Sequence, residues 1–432
     1  MYIYILVLIG SVSANNDRGL WNFWEDLIGA TQETYVPEDA RLNISQLAKK
    51  YRYPLQEHTV QTQDGYILNF HRLNRQKREE RSVVFLMHGI VESSDCWMLM
   101  GPKKALAYVL ADQGFDVWMG NARGNKYSLA HASMNSTQSE FWDFSWEEIA
   151  LYDLPAMIDY ILNRTKQDSL YYVGHSQGTT VGYVLGSMKP EYNSKMKLMF
   201  SLAPEAWMGH VQSHLLRFFS PAQNVLELIL SDFNTIMTGT DFFNKISGIV
   251  CSIMPVNCDN VLYSLSGYET KINETFLSVI LGHSPTGSSI RQFSHYGQLV
   301  HSERFCRYDY DVVENLRRYE SLTPPDYDLS KVTVPVILFY SCKDWLSDPK
   351  DVDILKSNLP NVDEEIYLND FTHLDYLYAE EAVNIIYRKI IELIDKFENV
   401  LYVKAIGSRT ENTPNSVLAP YGPKKLFKKI YR

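Results

Sequence analysis

The sequence predicts an α/β protein with a mostly parallel central sheet, helices on both faces, and one inserted, mainly helical cap. Three observations carry this expectation. Short apolar runs alternate with helix-length amphipathic stretches from residue 82 to residue 202. The alternation stops at Ala203-Pro204 and resumes at Val334, and the intervening residues, about 130 and rich in Phe, Leu, Ile and Met, are too many for a loop inside a compact domain. A helical pattern over residues 380–397 then closes the series.

Taken in order, residues 1–14 are an apolar run ending in small residues, with Val12 and Ala14 placed as in a signal-peptidase site, and they resemble a secretory signal peptide cleaved after Ala14. Residues 15–56 read as an irregular arm. Glu57–Gln61 and Tyr66–Arg72 flank the turn Gln63-Asp64-Gly65, a hairpin signal. Ser82–Met87 is a short apolar run ending at His88-Gly89, which suits a buried central strand. A helix over Lys103–Gln113 leads to a strand at Phe115–Met119, stopped by Gly120. Next come a helix over Trp146–Leu162, a strand at Leu170–Val173, a helix over Thr179–Met188 and a strand at Leu198–Leu202. Beyond the insertion, Val334–Tyr340 and Glu365–Leu368 are strand-like. The expected organisation is therefore a signal peptide (1–14), a core in two parts (15–204 and 334–400), a cap (205–333) and a basic tail (401–432).

Composition limits the partners. Of the 432 residues 45% are hydrophobic and 21% charged, enough to bury a large core rather than remain disordered. The net charge of −10 argues against nucleic acid as a partner of the main body. The tail differs: Lys404, Arg409, Lys424, Lys425, Lys428, Lys429 and Arg432 face only Glu411. No run of 18 apolar residues follows the leader, so no transmembrane segment is expected. The sequons at Asn43, Asn135, Asn163 and Asn273 agree with a secretory route. Cys251 and Cys258 lie in one loop-like segment where an oxidising compartment favours a local disulfide, leaving Cys96, Cys306 and Cys342 as buried free thiols. The expected chemistry needs no cofactor and no metal.

That chemistry starts at Gly174-His-Ser176-Gln-Gly178, which fits G-x-S-x-G directly after a strand and directly before a helix. The glycines permit a sharp turn that exposes the serine oxygen at the carboxyl edge of a sheet, and the helix N-terminus offers N–H groups to an oxyanion. A serine hydroxyl needs a base, itself oriented by a carboxylate, and on such an elbow the chain order is serine, acid, histidine. His373, the last histidine, falls between Glu365–Leu368 and the closing helix and is taken as the base. His210, His214, His283, His295 and His301 belong to the cap and are read as packing or surface residues. Asp344, just past the 334–340 strand, is taken as the acid, and Asp348 as an N-cap of a helix beginning near Lys350. The expected oxyanion donors are the backbone N–H groups of Gln177 and Ile90, in the loop after an early strand.

Five blocks carry a more specific resemblance: residues 88–97 (His-Gly-Ile-Val-Glu-Ser-Ser-Asp-Cys-Trp), 119–125 (Met-Gly-Asn-Ala-Arg-Gly-Asn), 152–160, 172–179 and 282–288 (Gly-His-Ser-Pro-Thr-Gly-Ser). Together they resemble the acid lipase family of α/β-hydrolases, to which gastric and lysosomal acid lipases belong, over residues 53–397. That family separates acid and base by 29 residues, as Asp344 and His373 are separated here. The resemblance implies a secreted or lysosomal lipase acting on triacylglycerols or sterol esters at a lipid–water interface, with a local cap disulfide that Cys251 and Cys258 match. Two features depart from the pattern: the tail beyond residue 400, and Ala122 where the family commonly has serine. The rival expectations are an inactive lipid carrier of yolk type and a carboxylesterase for soluble esters. Part of residues 205–260, including Leu215–Phe219 and Val225–Leu230, is expected to form a mobile lid over an apolar cleft.

Overall fold

The computed structural model describes residues 37–74, 81–213, 216–217, 266–267 and 269–411. The expected signal peptide, Cys251 and Cys258, nearly all of the two expected lid segments and residues 412–432 of the tail lie outside these.

The first α-helix among the described residues is α1 (Ile44–Lys50), in a stretch that reads as an irregular arm in the sequence. Its start is local: Asn43 accepts from the Gln46 N–H while the Gln46 side chain accepts from the Asn43 N–H, a reciprocal cap that satisfies two donors otherwise left bare. The helix is only seven residues long, too short for the periodicity to stand out.

The hairpin follows as β1 (Leu55–Gln61) and β2 (Tyr66–Leu73), paired antiparallel. Then come β3 (Val83–Met87), α2 (Leu106–Asp112), β4 (Asp116–Met119), the two-residue β5 (Ala130–His131), α3 (Leu154–Thr165), β6 (Leu170–His175), α4 (Gln177–Met188) and β7 (Met196–Leu202). The described part of the insertion carries α5 (Glu274–His283), α6 (Ile290–Ser302) and α7 (Asp311–Tyr319). The core resumes with β8 (Val336–Ser341), α8 (Pro349–Asn358) and β9 (Val362–Leu368).

Among the described residues these strands form one nine-stranded sheet ordered β1-β2-β4-β3-β6-β7-β8-β9, with β5 on β2. Pairings from β4 through β9 are parallel and those of β2 are antiparallel. Every residue of β3, β4, β6 and β8 is buried, so both faces of the central sheet are covered, as their unbroken apolar runs require. β9 alternates half-buried with exposed positions, the pattern of an edge. The main apolar cluster runs through Phe70, Phe85, Trp118, Trp146, Ile158, Tyr172 and Met199.

Two boundaries differ from the sequence reading. The helix expected over 146–162 opens into a wider π turn at Ile149–Asp153 before α3 begins. Pro155 lacks an N–H and its ring crowds the carbonyl four residues back, so a regular α turn cannot run through it. The chain divides into two compact units, residues 1–388 and 389–432. The helix α9 (Arg388–Glu411), which begins at the last residue of the first unit, continues well past residue 400, where the tail was expected to start. Cys96 and Cys306 are buried free thiols, but Cys342 is exposed, because it lies just past the last paired residue of β8, where the chain turns out of the sheet.

Candidate active site

The carboxyl ends of β6, β7, β8 and β9 are consecutive in the sheet, and each is followed by a residue of the site. Ser176 sits between β6 and α4 with φ 53° and ψ −123°, a conformation that side chains other than glycine seldom adopt. The turn closes because its neighbours lack side chains. A Cβ on Gly174 would stand 2.5 Å from the Gly178 carbonyl oxygen, and one on Gly178 would run into the Met87 carbonyl. The elbow is thus pressed against the end of β3, where the His88-Gly89-Ile90 loop begins. A Cβ on Gly89 would come within 3.2 Å of the Ser176 Cβ.

That loop is held from several sides. Gly89 N–H donates to Glu92 Oε2 (3.1 Å), and the Tyr378 hydroxyl donates to Glu92 Oε1 (3.3 Å). Burial works against the Glu92 charge, but His175 at 3.5 Å, His88 and the Gly89 N–H bring its carboxyl below the usual range. Val91 takes φ 56°, rare for a β-branched residue. Its carbonyl accepts from Thr286 N–H (2.8 Å), and Thr286 Oγ1 donates to the Glu92 carbonyl (2.6 Å). Among the described residues the N–H groups of Ile90 and Gln177 have no hydrogen-bond partner.

The blocks that carried the family resemblance now have physical roles. His88 donates from Nδ1 to the Gly89 carbonyl (2.7 Å) and accepts at Nε2 from Ala122 N–H (3.1 Å), and burial lowers its pKa. Arg123 is buried and bridges Asp153 (Nε to Oδ1, 2.8 Å) and Asp64 (Nη1 to Oδ2, 2.6 Å), with its guanidinium 3.9 Å over the Tyr66 ring. Block 282–288 supplies Thr286, and His283, which binds Asp95 (2.7 Å) and the Asp39 carbonyl (2.8 Å). His283 and His295, the latter stacked on Trp146 at 3.8 Å, are buried packing residues, while His210 pairs with Asp351 (2.7 Å).

Asp344 and His373 are brought together. His373 Nδ1 lies 2.9 and 3.0 Å from the two Asp344 carboxylate oxygens, and Asp344 Oδ1 also accepts from the Leu346 (2.9 Å) and Ser347 (3.0 Å) N–H groups. His175 Nε2 donates to the His373 carbonyl (2.9 Å), and His373 N–H donates to the Ser266 carbonyl (3.1 Å). Burial pulls the imidazole down, but the charge and hydrogen bond of Asp344, with Glu205 and Glu92 adding, overcome it and raise His373 to about 9. Asp348, by contrast, caps α8: it accepts from Lys350 N–H (2.9 Å) and from Gln212 Nε2 (2.8 Å).

One member of the site is missing from the sequence reading. Glu205 follows β7 and Pro204, and its Oε1 accepts the Ser176 hydroxyl at 3.1 Å and lies 3.6 Å from His373 Nε2. Among the described residues this is the hydrogen bond the Ser176 hydroxyl makes. Burial pushes the Glu205 carboxyl up to about 7, with Asp344 adding to the rise and His373 opposing it. The available signal was an acid three residues past a central strand, at the edge where the other site residues emerge. Ser176, His373 and Glu205 are each under 5% exposed. Among the described residues no cluster of three His, Cys, Asp or Glu side chains is placed to hold a metal ion.

This geometry can be set beside known proteins. Residues 82–379 match the family model for the alpha/beta hydrolase fold, and residues 44–101 match that for a partial alpha/beta-hydrolase lipase region. The chain is 37% identical to Lipase 1 of Drosophila melanogaster (88% of this chain, 86% of the relative) and 40% identical to Lipase 3 of the same organism (80% and 91%). It is 36% identical to human gastric triacylglycerol lipase (83% and 92%). Among solved structures, a soluble variant of monoglyceride lipase from Saccharomyces cerevisiae, bound to a substrate analog, superposes with a TM-score of 0.52 at 17% identity (84% and 98%), which shows the fold alone.

Proposed function

The chain belongs to the α/β-hydrolase lipase family of carboxylic ester hydrolases, and from that premise we propose that it cleaves lipid esters by acyl transfer through Ser176, His373 and Asp344. The observation that carries the reading is an elbow serine after β6 and a hydrogen-bonded Asp344–His373 pair after β8 and β9, all at the carboxyl end of the same run of strands. Ser176 attacks the ester carbonyl, His373 takes its proton and returns it to the leaving alkoxide, and Asp344 holds the imidazole and stabilises its charged form. The N–H groups of Gln177 and Ile90 receive the oxyanion, a role supported by their lack of other partners among the described residues. Water then releases the fatty acid by the same route.

The substrates in this reading are triacylglycerols or sterol esters, in keeping with the gastric triacylglycerol lipases among the relatives. Secretion or lysosomal residence is supported by the leader-like N-terminus and by the exposure of Asn43, Asn135, Asn163 and Asn273 as glycan acceptors. No helix among the described residues is long and apolar enough to cross a membrane. The depth of Ser176 supports a cap that opens to admit substrate.

Ser176→Ala and His373→Ala are expected to lower ester hydrolysis by about 10⁴-fold to 10⁶-fold while leaving the fold intact, since the members act as a unit. A folded Ser176→Ala protein with near-normal turnover, or one that still takes a fluorophosphonate label, would refute the assignment. Assays on a lipid ester carried through its solubility limit test the cap: a sharp rise supports opening at an interface, and a smooth hyperbola removes it.

A further inference from the structure

The acyl-transfer scheme leaves one group at the nucleophile without a task. Glu205 is not a surface acid that happens to lean inward. Its N–H donates to Thr179 Oγ1 (2.9 Å) and its carbonyl accepts from Thr180 Oγ1 (2.8 Å), so its backbone is tied at both ends to the first turn of α4, the helix that presents Ser176. Its carboxylate then stands where the nucleophile and the base should meet, 3.1 Å from Ser176 Oγ and 3.6 Å from His373 Nε2, on the side of the imidazole opposite Asp344.

We propose that Glu205 is a further catalytic residue, which in the resting enzyme accepts the Ser176 hydroxyl, pairs with the His373 imidazolium, and thereby sets the lower pH limit of ester hydrolysis. The inference rests on the triad reading and deepens it. The groups that face Glu205 come from every element around it: Ser176 from the elbow, His373 from the segment after β9, Asp344 from the segment after β8, and the Tyr296 hydroxyl from α6. His373 in turn faces Asp344, Glu205 and the charge of Glu92, with His175 against its carbonyl. A buried imidazolium between two carboxylates is held strongly.

The proton balance follows. While Glu205 is a carboxylate and His373 carries protons on both nitrogens, Nε2 has no lone pair for the Ser176 proton. The Glu205–His373 pair must first give one proton to solvent. The Ser176 proton then passes to His373 Nε2 as the Oγ–acyl carbon bond forms and the carbonyl π pair moves onto its oxygen. With Glu205 neutralised, His373 answers to Asp344 with less help and loses its proton at lower pH. A unit charge at this separation shifts such a group by about one to three pH units.

The test is the pH dependence of kcat/KM on a soluble short-chain ester, together with the rate at which a fluorophosphonate labels Ser176. Glu205→Gln keeps the shape and a hydrogen-bonding carbonyl and removes the charge. Its acid limb is expected to move down by about one to three pH units in both measurements, whatever the height of the plateau it rises to. Glu205→Asp withdraws the charge by one methylene and should give an intermediate profile, which keeps the inference open to refutation if the Gln protein fails to fold. Acid limbs superimposable on the unmodified enzyme's, or displaced upward, overturn the role of Glu205. Labelling is also followed in Ser176→Ala: its loss there, with an unshifted Glu205→Gln profile, removes this inference and leaves the triad standing. Its persistence there removes the triad and the inference together.

Discussion

The sharpest consequence of the Asp344–His373 geometry concerns an exchange of one atom. In Asp344→Asn the amide oxygen is expected to keep the place of Oδ1, because that position accepts the Leu346 and Ser347 N–H groups at 2.9 and 3.0 Å and an NH₂ group cannot. The NH₂ group then occupies the place of Oδ2, 3.0 Å from His373 Nδ1, and donates to it. A ring that accepts at Nδ1 carries its proton on Nε2, the nitrogen that must be bare to receive the Ser176 proton. The orienting hydrogen bond survives in the wrong tautomer, and the charge that stabilises the imidazolium is gone. The expected loss in kcat/KM is about 10³-fold to 10⁴-fold, or about 4–5 kcal/mol of transition-state stabilisation. Asp348→Asn is the matched control: asparagine caps helices as well as aspartate does, so activity should stay within about threefold. Both proteins are assayed on a soluble ester after circular dichroism and thermal melting establish that they are folded. An Asp344→Asn enzyme within tenfold of the unmodified one, or an Asp348→Asn enzyme hit harder, would refute the tautomer argument and move the acid.

Two further outcomes follow from the scaffold. Arg123→Met leaves the fully buried Asp153 carboxylate without its cation and frees Asp64, and should cost about 3–5 kcal/mol in urea unfolding, whereas a loss under about 1 kcal/mol would show that the pair is dispensable. Gly178→Ala drives a methyl group into the Met87 carbonyl at the end of β3, one residue before the oxyanion loop. It should cost about 1–3 kcal/mol and lower kcat by about 10²-fold through displaced donors, and a stable, fully active Gly178→Ala protein would contradict the close approach.

Much of the site is legible in the sequence because its constraints are local. Gly174 and Gly178 are required by a turn only five residues long, and the strand before it and helix after it announce themselves by period. His373 and Asp344 follow from chain order and from their places past strand-like runs, and Asp348 reads as a cap because capping is a contact with the next few residues. The resemblance blocks at 119–125 and 282–288 are equally visible, but their work is not. That Arg123 joins the hairpin to the turn before α3, and that Thr286 braces the Val91–Glu92 backbone, depends on partners tens to nearly two hundred residues away.

Glu205 marks the boundary most clearly. From the sequence it is the first residue of an insertion, one acid among 51 acidic side chains. The sheet order sets β7 between β6 and β8, so the residue that leaves β7 emerges between the nucleophile's strand and the acid's. Two threonines of α4 then turn its carboxylate onto Ser176. Strand order is a property of the folded sheet and not of any segment of the chain. The sequence by itself could therefore single out Ser176, Asp344 and His373 as candidates, while only the tertiary structure could put the Glu205 carboxylate beside Ser176 and His373.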